Sequence, residues 1–215
     1  MRPLPEDERG PGEFYPPVGV GPHPQPWPDD PRLDPELLRE GDRRNVLDQY
    51  RYWTVEAIKH ELDGQRHALH IAIENWQHDL NIGAIVRTAN AFNVAGVHIV
   101  GRKRWNQRGA MVTDRYLQMH RHPDVAAFST WARDAQLDVI GIDNLEGSRP
   151  LESALLPRTC VMLFGQEGPG LSQEALAACS QILHITQYGS TRSLNASAAG
   201  AIAMYAWGLQ HIVRD

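Results

Sequence analysis

The chain has 215 residues, 42% of them hydrophobic, with 21 Lys and Arg against 26 Asp and Glu for a formal charge of −5, enough for one sizeable core. Its two cysteines, Cys160 and Cys179, sit in apolar or Ala-rich surroundings, which excludes a disulfide framework or a thiolate metal site and reads as free buried thiols in a reducing compartment. No apolar run approaches the roughly 18 residues of a membrane helix and the N-terminus lacks a signal peptide's apolar core, so a soluble cytoplasmic protein is expected.

Charge and proline are unevenly placed. Residues 1–40 hold nine acidic residues, four Arg and 11 of the 15 prolines, leaving a neutral body. Such a stretch supports little helix or ladder, so 1–31 is expected to be an extended or disordered tail. Its Phe14, Tyr15 and Trp27 could anchor it to the body, against the plainer reading of a loose tail. From Asp34 to Leu62, apolar residues recur at three- and four-residue steps and break near Gly41, which predicts two helices with Arg43, Arg44 and Arg51 exposed. Segment 32–67 is thus a helical N-terminal extension.

Beyond it, ALHIAIEN (68–75) reads as a buried strand and NIGAIVRTANAFNVAG (81–96) as a helix with Gly96 just past its end. VHIVG (97–101), LDVIGID (137–143), TCVMLFG (159–165) and QILHIT (181–186) are further strands. STWARDAQ (129–136), LSQEALAAC (171–179) and 196–213 are helices. Short apolar strands alternating with helices define an α/β domain over 68–215, its sheet mostly parallel and flanked by helices.

In such sheets ligands sit beyond the carboxyl ends of the strands, and three turns there stand out. In NWQHDLNIGAIVR (75–87), Asn81 is placed to cap a helix. Arg87, nearly two turns on in an otherwise apolar helix, reads as a buried-face cation that needs phosphate or carboxylate. FGQEGPGLS (164–172) holds Glu167 among glycines that permit close backbone approach; it is neither a dinucleotide fingerprint nor a phosphate-cradling loop, and its plain reading is a tight turn capped by Ser172. ITQYGSTRSLNAS (185–197) crowds hydroxyls, Arg192 and Asn195 between a strand and a helix; Asn195 reads as that helix's cap, and Arg192 as a phosphate contact or a solvated side chain. A fourth segment, GRKRWNQRG (101–109), sets Arg102, Lys103, Arg104 and Arg108 around Trp105, cations beside an aromatic that suit RNA phosphates and a stacked base, against the plainer reading of a charged loop. The ten histidines, His120 and His122 among them, show no metal spacing, and no metal is expected.

Taken together, N-x-G-x-x-x-R, F-G-x-E-G-x-G-L-S and I-x-x-Y-G-x-x-x-S-L-N-x-S, in that order, resemble the three motifs of the SpoU (TrmH) family of the SPOUT superfamily of RNA methyltransferases. The likeness covers roughly 68–213. It implies an α/β fold whose C-terminal part forms a trefoil knot, which binds S-adenosylmethionine, acts as a homodimer and methylates a ribose 2′-hydroxyl of tRNA or rRNA. On matching positions, cofactor contacts fall on Gly165, Ile185, Ser193 and Leu194, with Ile142 and Asp143 closing the pocket. Arg87 is implied as the residue that activates the hydroxyl. A guanidinium hardly ever loses its proton, so its expected part is to stabilise the oxyanion or grip the adjacent phosphate, within one subunit or across a dimer. Asn81, Glu167, Ser193 and Asn195 complete the implied catalytic set. The chain departs from the family in having Thr186-Gln187 where Pro-Met often follows the Ile, and Ala196 where Val or Leu is common.

Two other readings stand beside this one. A catalytically idle knotted protein that binds RNA as an assembly factor is disfavoured by the intact Asn81, Arg87, Glu167 and Asn195 set. A nucleotide-dependent oxidoreductase lacks its glycine fingerprint.

Overall fold

The computed structural model describes residues 19–75, 81–102, 105, 107–166 and 168–212, with Arg108 described by its backbone alone. Phe14 and Tyr15, offered above as anchors, lie outside them. The chain divides into two compact units that meet at Ile58 and Lys59.

In the first unit residues 21–30 carry no helix or strand, in keeping with the extended alternative expected there, while bonds to its own neighbours hold the chain from Gly19; residues 1–18 of the expected tail lie outside the described residues. Val20 and Asp42 exchange both backbone hydrogen bonds at 2.9 Å, and the His23 amide donates to the Leu38 carbonyl. Asp34 caps helix α1 (Pro35–Glu40) by accepting from the Glu36 and Leu37 amides, with proline at the first turn where its missing N–H costs nothing. The expected second helix is displaced: past Gly41 the chain makes a single 3-10 turn at Asp48–Tyr50 and becomes α-helical again only in α2 (Val55–Asp63). The cause is Asp42, fully buried, whose carboxylate accepts from the Arg44 guanidinium and the Arg44 and Tyr52 amides. Burial opposes its charged form, but these donors prevail and hold its pKa down to about 2. Arg44 and Arg51, expected to be exposed, are therefore half-buried, Arg51 donating to the Arg44 carbonyl at 2.6 Å.

The second unit is built on seven parallel strands: β1 (His67–Glu74), β2 (Val94–Val100), β3 (Met119–His122), β4 (Asp138–Ile142), β5 (Arg149–Pro150), β6 (Cys160–Phe164) and β7 (Gln181–His184), in the order β3-β2-β1-β6-β4-β7-β5. Alternate side chains reach opposite faces. Leu69, Ile71 and Ile73 of β1 enter one core with Met162 and Phe164 of β6, beneath α3 (Asn81–Ala91) and α6 (Ala196–His211). Ala72, Val161 and Leu163 enter the other, beneath α4 (Val125–Asp134) and α5 (Gln173–Ala178). The last turns of α6 are stitched to the segment before β6, with Trp207 Nε1 donating to the Pro157 carbonyl and Gln210 Nε2 to the Ala154 carbonyl.

Two sequence expectations are corrected here. The helix from Asn81 stops at Ala91 rather than reaching residue 95, because Asn93 takes a left-handed φ of 42° that a helix cannot continue through. Gly96 is then no helix stop but a strand residue: a Cβ there would lie 3.2 Å from the rings of His70 and His120. Strand β3 was missed because its sequence, MHRH, is polar.

That missing side chain leaves room for a ladder of histidines across β1, β2 and β3. His70 Nδ1 meets His98 Nε2 at 3.1 Å, and His98 Nδ1 meets His122 Nε2 at 2.9 Å, with Trp131 of α4 packed 3.8 Å from the His98 ring centre. Each ring bonds the next instead of converging on a point, and no His, Cys, Asp or Glu group among the described residues is arranged to hold a metal ion. Burial, reinforced by repulsion from His120, lowers His70 to about 4; burial and its three histidine neighbours lower His98 to about 2. A histidine kept neutral in the fold but free to protonate when unfolded gives full stability above its unfolded pKa of roughly 6.5, lost as pH falls below it. Stability should therefore fall from pH 7 toward pH 4, His98 alone contributing about 1.4 kcal/mol per pH unit. Thermal denaturation of the wild type and His98→Leu across that range checks this, the variant having the shallower slope.

Candidate active site

The carboxyl ends of β4, β6 and β7 open on a cavity of about 380 Å³, within the roughly 300–1,000 Å³ of small-molecule sites. Its wall is made by three turns that are far apart in the sequence. Ile142 ends β4 and is followed by Asp143 and Asn144; after β6 come Gly165, Gln166, Gly168 and Gly170; after β7, Ile185 and Gln187, with Ser193, Leu194 and Asn195 closing the side next to α6. All six residues expected to contact a cofactor, Ile142, Asp143, Gly165, Ile185, Ser193 and Leu194, thus line one cavity.

The turn after β6 doubles back on itself. Gln166 and Gly170 exchange two backbone hydrogen bonds at 3.0 Å. A Cβ on Gly165 would lie 2.2 Å from the Gly170 carbonyl carbon, and Gly170 has a φ of 74° that favours glycine. Asp143 Oδ2 accepts from the Leu171 amide at 2.8 Å and fastens this turn to the end of β4. Ser172 caps α5 by accepting from the Ala175 amide, as its position suggested. Glu167 lies outside the described residues.

The third turn is tied down where it approaches α6. Asn144 Nδ2 donates to the Arg192 carbonyl at 3.0 Å. Asn195 Oδ1 accepts from the Ser197 and Ala198 amides, capping α6, while its Nδ2 donates to Asn81 Oδ1 at 2.8 Å. One side chain therefore joins the starts of α3 and α6, residues 114 apart in the sequence, and brings two positive helix ends together at the cavity rim.

Arg87 sits otherwise than expected. It is exposed on α3, makes no hydrogen bond or ion pair with the described residues, and is not part of the cavity wall; the buried face of α3 is filled by Ile82, Gly83, Ile85, Val86 and Ala89 instead. In the basic segment, Arg102 is exposed, but Trp105 is 6% exposed and belongs to the core, so it offers no face to a base. Lys103, Arg104 and the Arg108 side chain lie outside the described residues. Sequence reading missed Asn144, Gln166 and His184 in the cavity wall. Asn144 directly follows the expected Asp143, and Gln166 sits within the quoted glycine turn, so both were within reach.

A parallel α/β sheet with a cavity at its strand ends, walled by a glycine turn and by an amide- and hydroxyl-rich turn, defines a protein that binds a small molecule there. The chain belongs to the SpoU rRNA Methylase family, whose model matches residues 68–205. It is 28% identical over 140 residues to the tRNA (guanosine(18)-2′-O)-methyltransferase of Escherichia coli (strain K12), covering 64% of this chain and 61% of that one. A solved structure concerned with 2-OH methylation of C/U34 on tRNA is 27% identical, with a TM-score of 0.60 over 67% of this chain and 96% of that one. The SpoU methyltransferase AviRb from Streptomyces viridochromogenes, in complex with the cofactor AdoMet, shares the fold at 24% identity and a TM-score of 0.60 over 67% of this chain and 58% of that one.

If Asn195 caps α6 through its oxygen and bridges to Asn81 through its nitrogen, two substitutions separate the roles. Asn195→Ala should cost about 1 kcal/mol of stability. Asn195→Asp keeps the capping oxygen and should cost clearly less, while losing the donor to Asn81. Thermal denaturation of both checks this; equal losses would show that the cap contributes nothing.

Proposed function

We propose that this chain is an S-adenosylmethionine-dependent RNA methyltransferase acting on a ribose 2′-hydroxyl of tRNA or rRNA in the cytoplasm, as a homodimer with its C-terminal part threaded as a trefoil knot. The observation that carries the reading is the meeting of three distant turns around one cavity, with Asn81 and Asn195 bonded at its rim. The E. coli relative is named for 2′-O-methylation of a tRNA guanosine and the C/U34 structure for methylation of a different nucleotide, so the family supports the reaction while leaving the nucleotide open.

The cavity suits the cofactor. Ile142, Phe164, Ile185 and Leu194 supply apolar walls for an adenine face, and the backbone at Gly165 lies bare against it. Asp143 places a carboxylate in the same wall, complementary to a cation. When bound, the cofactor supplies a methyl group on a sulfonium, whose leaving thioether is neutral and needs no acid. The residues must therefore act on the nucleophile. Asn81 and Asn195 would position the ribose oxygen, the two helix ends they join would favour the negative charge that develops on it, and its proton would pass to the adjacent phosphate or to water.

Arg87 completes the set from a second copy. It is exposed and uncommitted among the described residues, which suits a residue serving a partner's site. The partner has an apolar surface to use: α6 turns Ile202, Tyr205 and Leu209 outward, 41%, 57% and 43% exposed, at the three- and four-residue steps of a single helix stripe. Arg102 is exposed and remains the RNA-facing cation of its segment, with Lys103, Arg104 and Arg108 beside it in sequence.

Mapping 2′-O-methyl groups in total RNA from cells with and without this gene tests the reaction: one site should vanish. If none does, the idle RNA-binding reading takes its place. Arg87→Ala should keep cofactor binding and abolish methyl transfer. Co-expressing it with Gly165→Val, inactive through its own cavity, should restore part of the activity, since a mixed dimer holds one complete site; no restoration would place Arg87 in its own subunit's site. Ile202→Glu with Leu209→Glu should yield monomers by light scattering, and a persistent dimer would remove this stripe from the interface.

A further inference from the structure

Strand β1 ends in Glu74, which is fully buried, lies outside the cavity wall, and takes no part in the reaction outlined above. Its Oε2 accepts from the Ser172 amide at 2.8 Å, across 98 residues of sequence. The preceding amide, Leu171, donates to Asp143 Oδ2, also at 2.8 Å. In the sheet β6 lies between β1 and β4, so the two carboxylates come from the strands on either side of the one that launches the glycine turn. They take hold of consecutive amides just where that turn ends and α5 begins.

We propose that Glu74 is a positioning residue for cofactor binding: with Asp143 it clamps the exit of the 165–172 turn, so that the turn's backbone is presented to the cavity already in its binding shape. The inference rests on the cofactor reading above and names a residue that acts on that site without touching the ligand.

The physical case begins with what the turn lacks. Gly165, Gly168 and Gly170 leave its middle with little side chain to pack, and Leu171 at its exit is the described apolar side chain that reaches the core beneath α4 and α5. Glycine also loses the most conformational freedom on ordering, so the turn needs fixed points outside itself. One pair of backbone bonds, between Gln166 and Gly170, closes it but does not say where it sits. Position comes from Asp143 on one flank and Glu74 on the other. Bonds from amides to carboxylates are stronger than neutral ones. Ser172 carries the constraint onward, because its hydroxyl caps α5 while its amide is held by Glu74. The buried Leu171 side chain anchors the exit in the core, and the two bonds, on neighbouring amides and from opposite strands, fix the direction of the backbone there. Without Glu74, cofactor binding would have to order the turn at its own expense.

The test is calorimetric titration of the full-length protein with S-adenosylhomocysteine, which reads cofactor-site affinity without RNA or turnover, alongside amide hydrogen exchange at Leu171 and Ser172 in the free protein. Glu74→Ala should weaken binding about 10- to 100-fold, the range of a lost bond to a charged group, and speed exchange at Ser172. Glu74→Gln keeps an acceptor oxygen in a side chain of the same shape, folds where the alanine variant fails to, and should fall between the two. Ile71→Val, a buried change on the same strand, should lower melting temperature while leaving affinity and Ser172 exchange as they were. Wild-type affinity in a folded Glu74→Ala or Glu74→Gln variant would overturn the proposal, as would an equal loss in Ile71→Val. Failure of the wild type itself to bind would instead overturn the cofactor reading and leave the clamp without its purpose.

Discussion

A Cβ at position 165 would lie 2.2 Å from the Gly170 carbonyl carbon, so the chain leaving β6 can fold flat against itself only because that atom is absent. The doubled-back turn occupies the carboxyl end of the sheet's central strands, where β4 and β7 also release their chains. A backbone-walled pocket has a cost in conformational freedom. The fold meets it with rigid supports at the edges, Asp143 from β4 among them, rather than with bulk inside the turn.

The same logic governs the other side of the cavity. The eleven residues from Ile185 to Asn195 have no regular structure, yet they are fastened near the start by the bond from Thr186 Oγ1 to Glu152 and toward the end by Asn144 on the Arg192 carbonyl and the Asn195 cap on α6. α6 is in turn held by Trp207 and Gln210 to the chain just before β6, and Gly200 lets it approach Ile85 of α3. The geometry of Asn81 relative to Asn195 is therefore set by packing far from either residue. Disturbing the α3–α6 contact would misplace both amides and, with Asn195, Ala196 and Ala199, the side of the cavity wall that α6 supplies.

Much of this arrangement could be read from the sequence. Strands β1, β4, β6 and β7 are buried in the middle of a parallel sheet, so they appear as unbroken apolar runs, and the three turns that follow strands announce themselves by glycine, hydroxyl and amide. What stayed illegible is of a different kind. Strand β3 is a polar edge strand whose one buried residue is a histidine, and Gly96 takes its meaning from rings on neighbouring strands. Arg87 looked buried because its helix is apolar, but the apolar stripe faces the core and leaves position 87 outside it. Trp105 looked like an RNA platform because its neighbours are basic, though a large aromatic has more to gain in the core. Glu74 looked like the last residue of a strand. In each case the deciding partner lies dozens of residues away, beyond any local pattern.

The exposed Arg87 is also a matter of solvation. A guanidinium placed permanently in the wall of its own apolar cavity would have to be desolvated without a partner, which is unfavourable unless a carboxylate is supplied. The described carboxylate of that wall, Asp143, is already engaged with the Leu171 and Asn144 amides. On the outer face of α3 the cation stays hydrated. In the dimer proposed above it would give up that water only as a second subunit and a phosphate-bearing substrate supply a compensating charge. A site divided in that way would avoid an unpaired buried cation in the free chain, with the exposed apolar stripe of α6 available to bring the two halves into register.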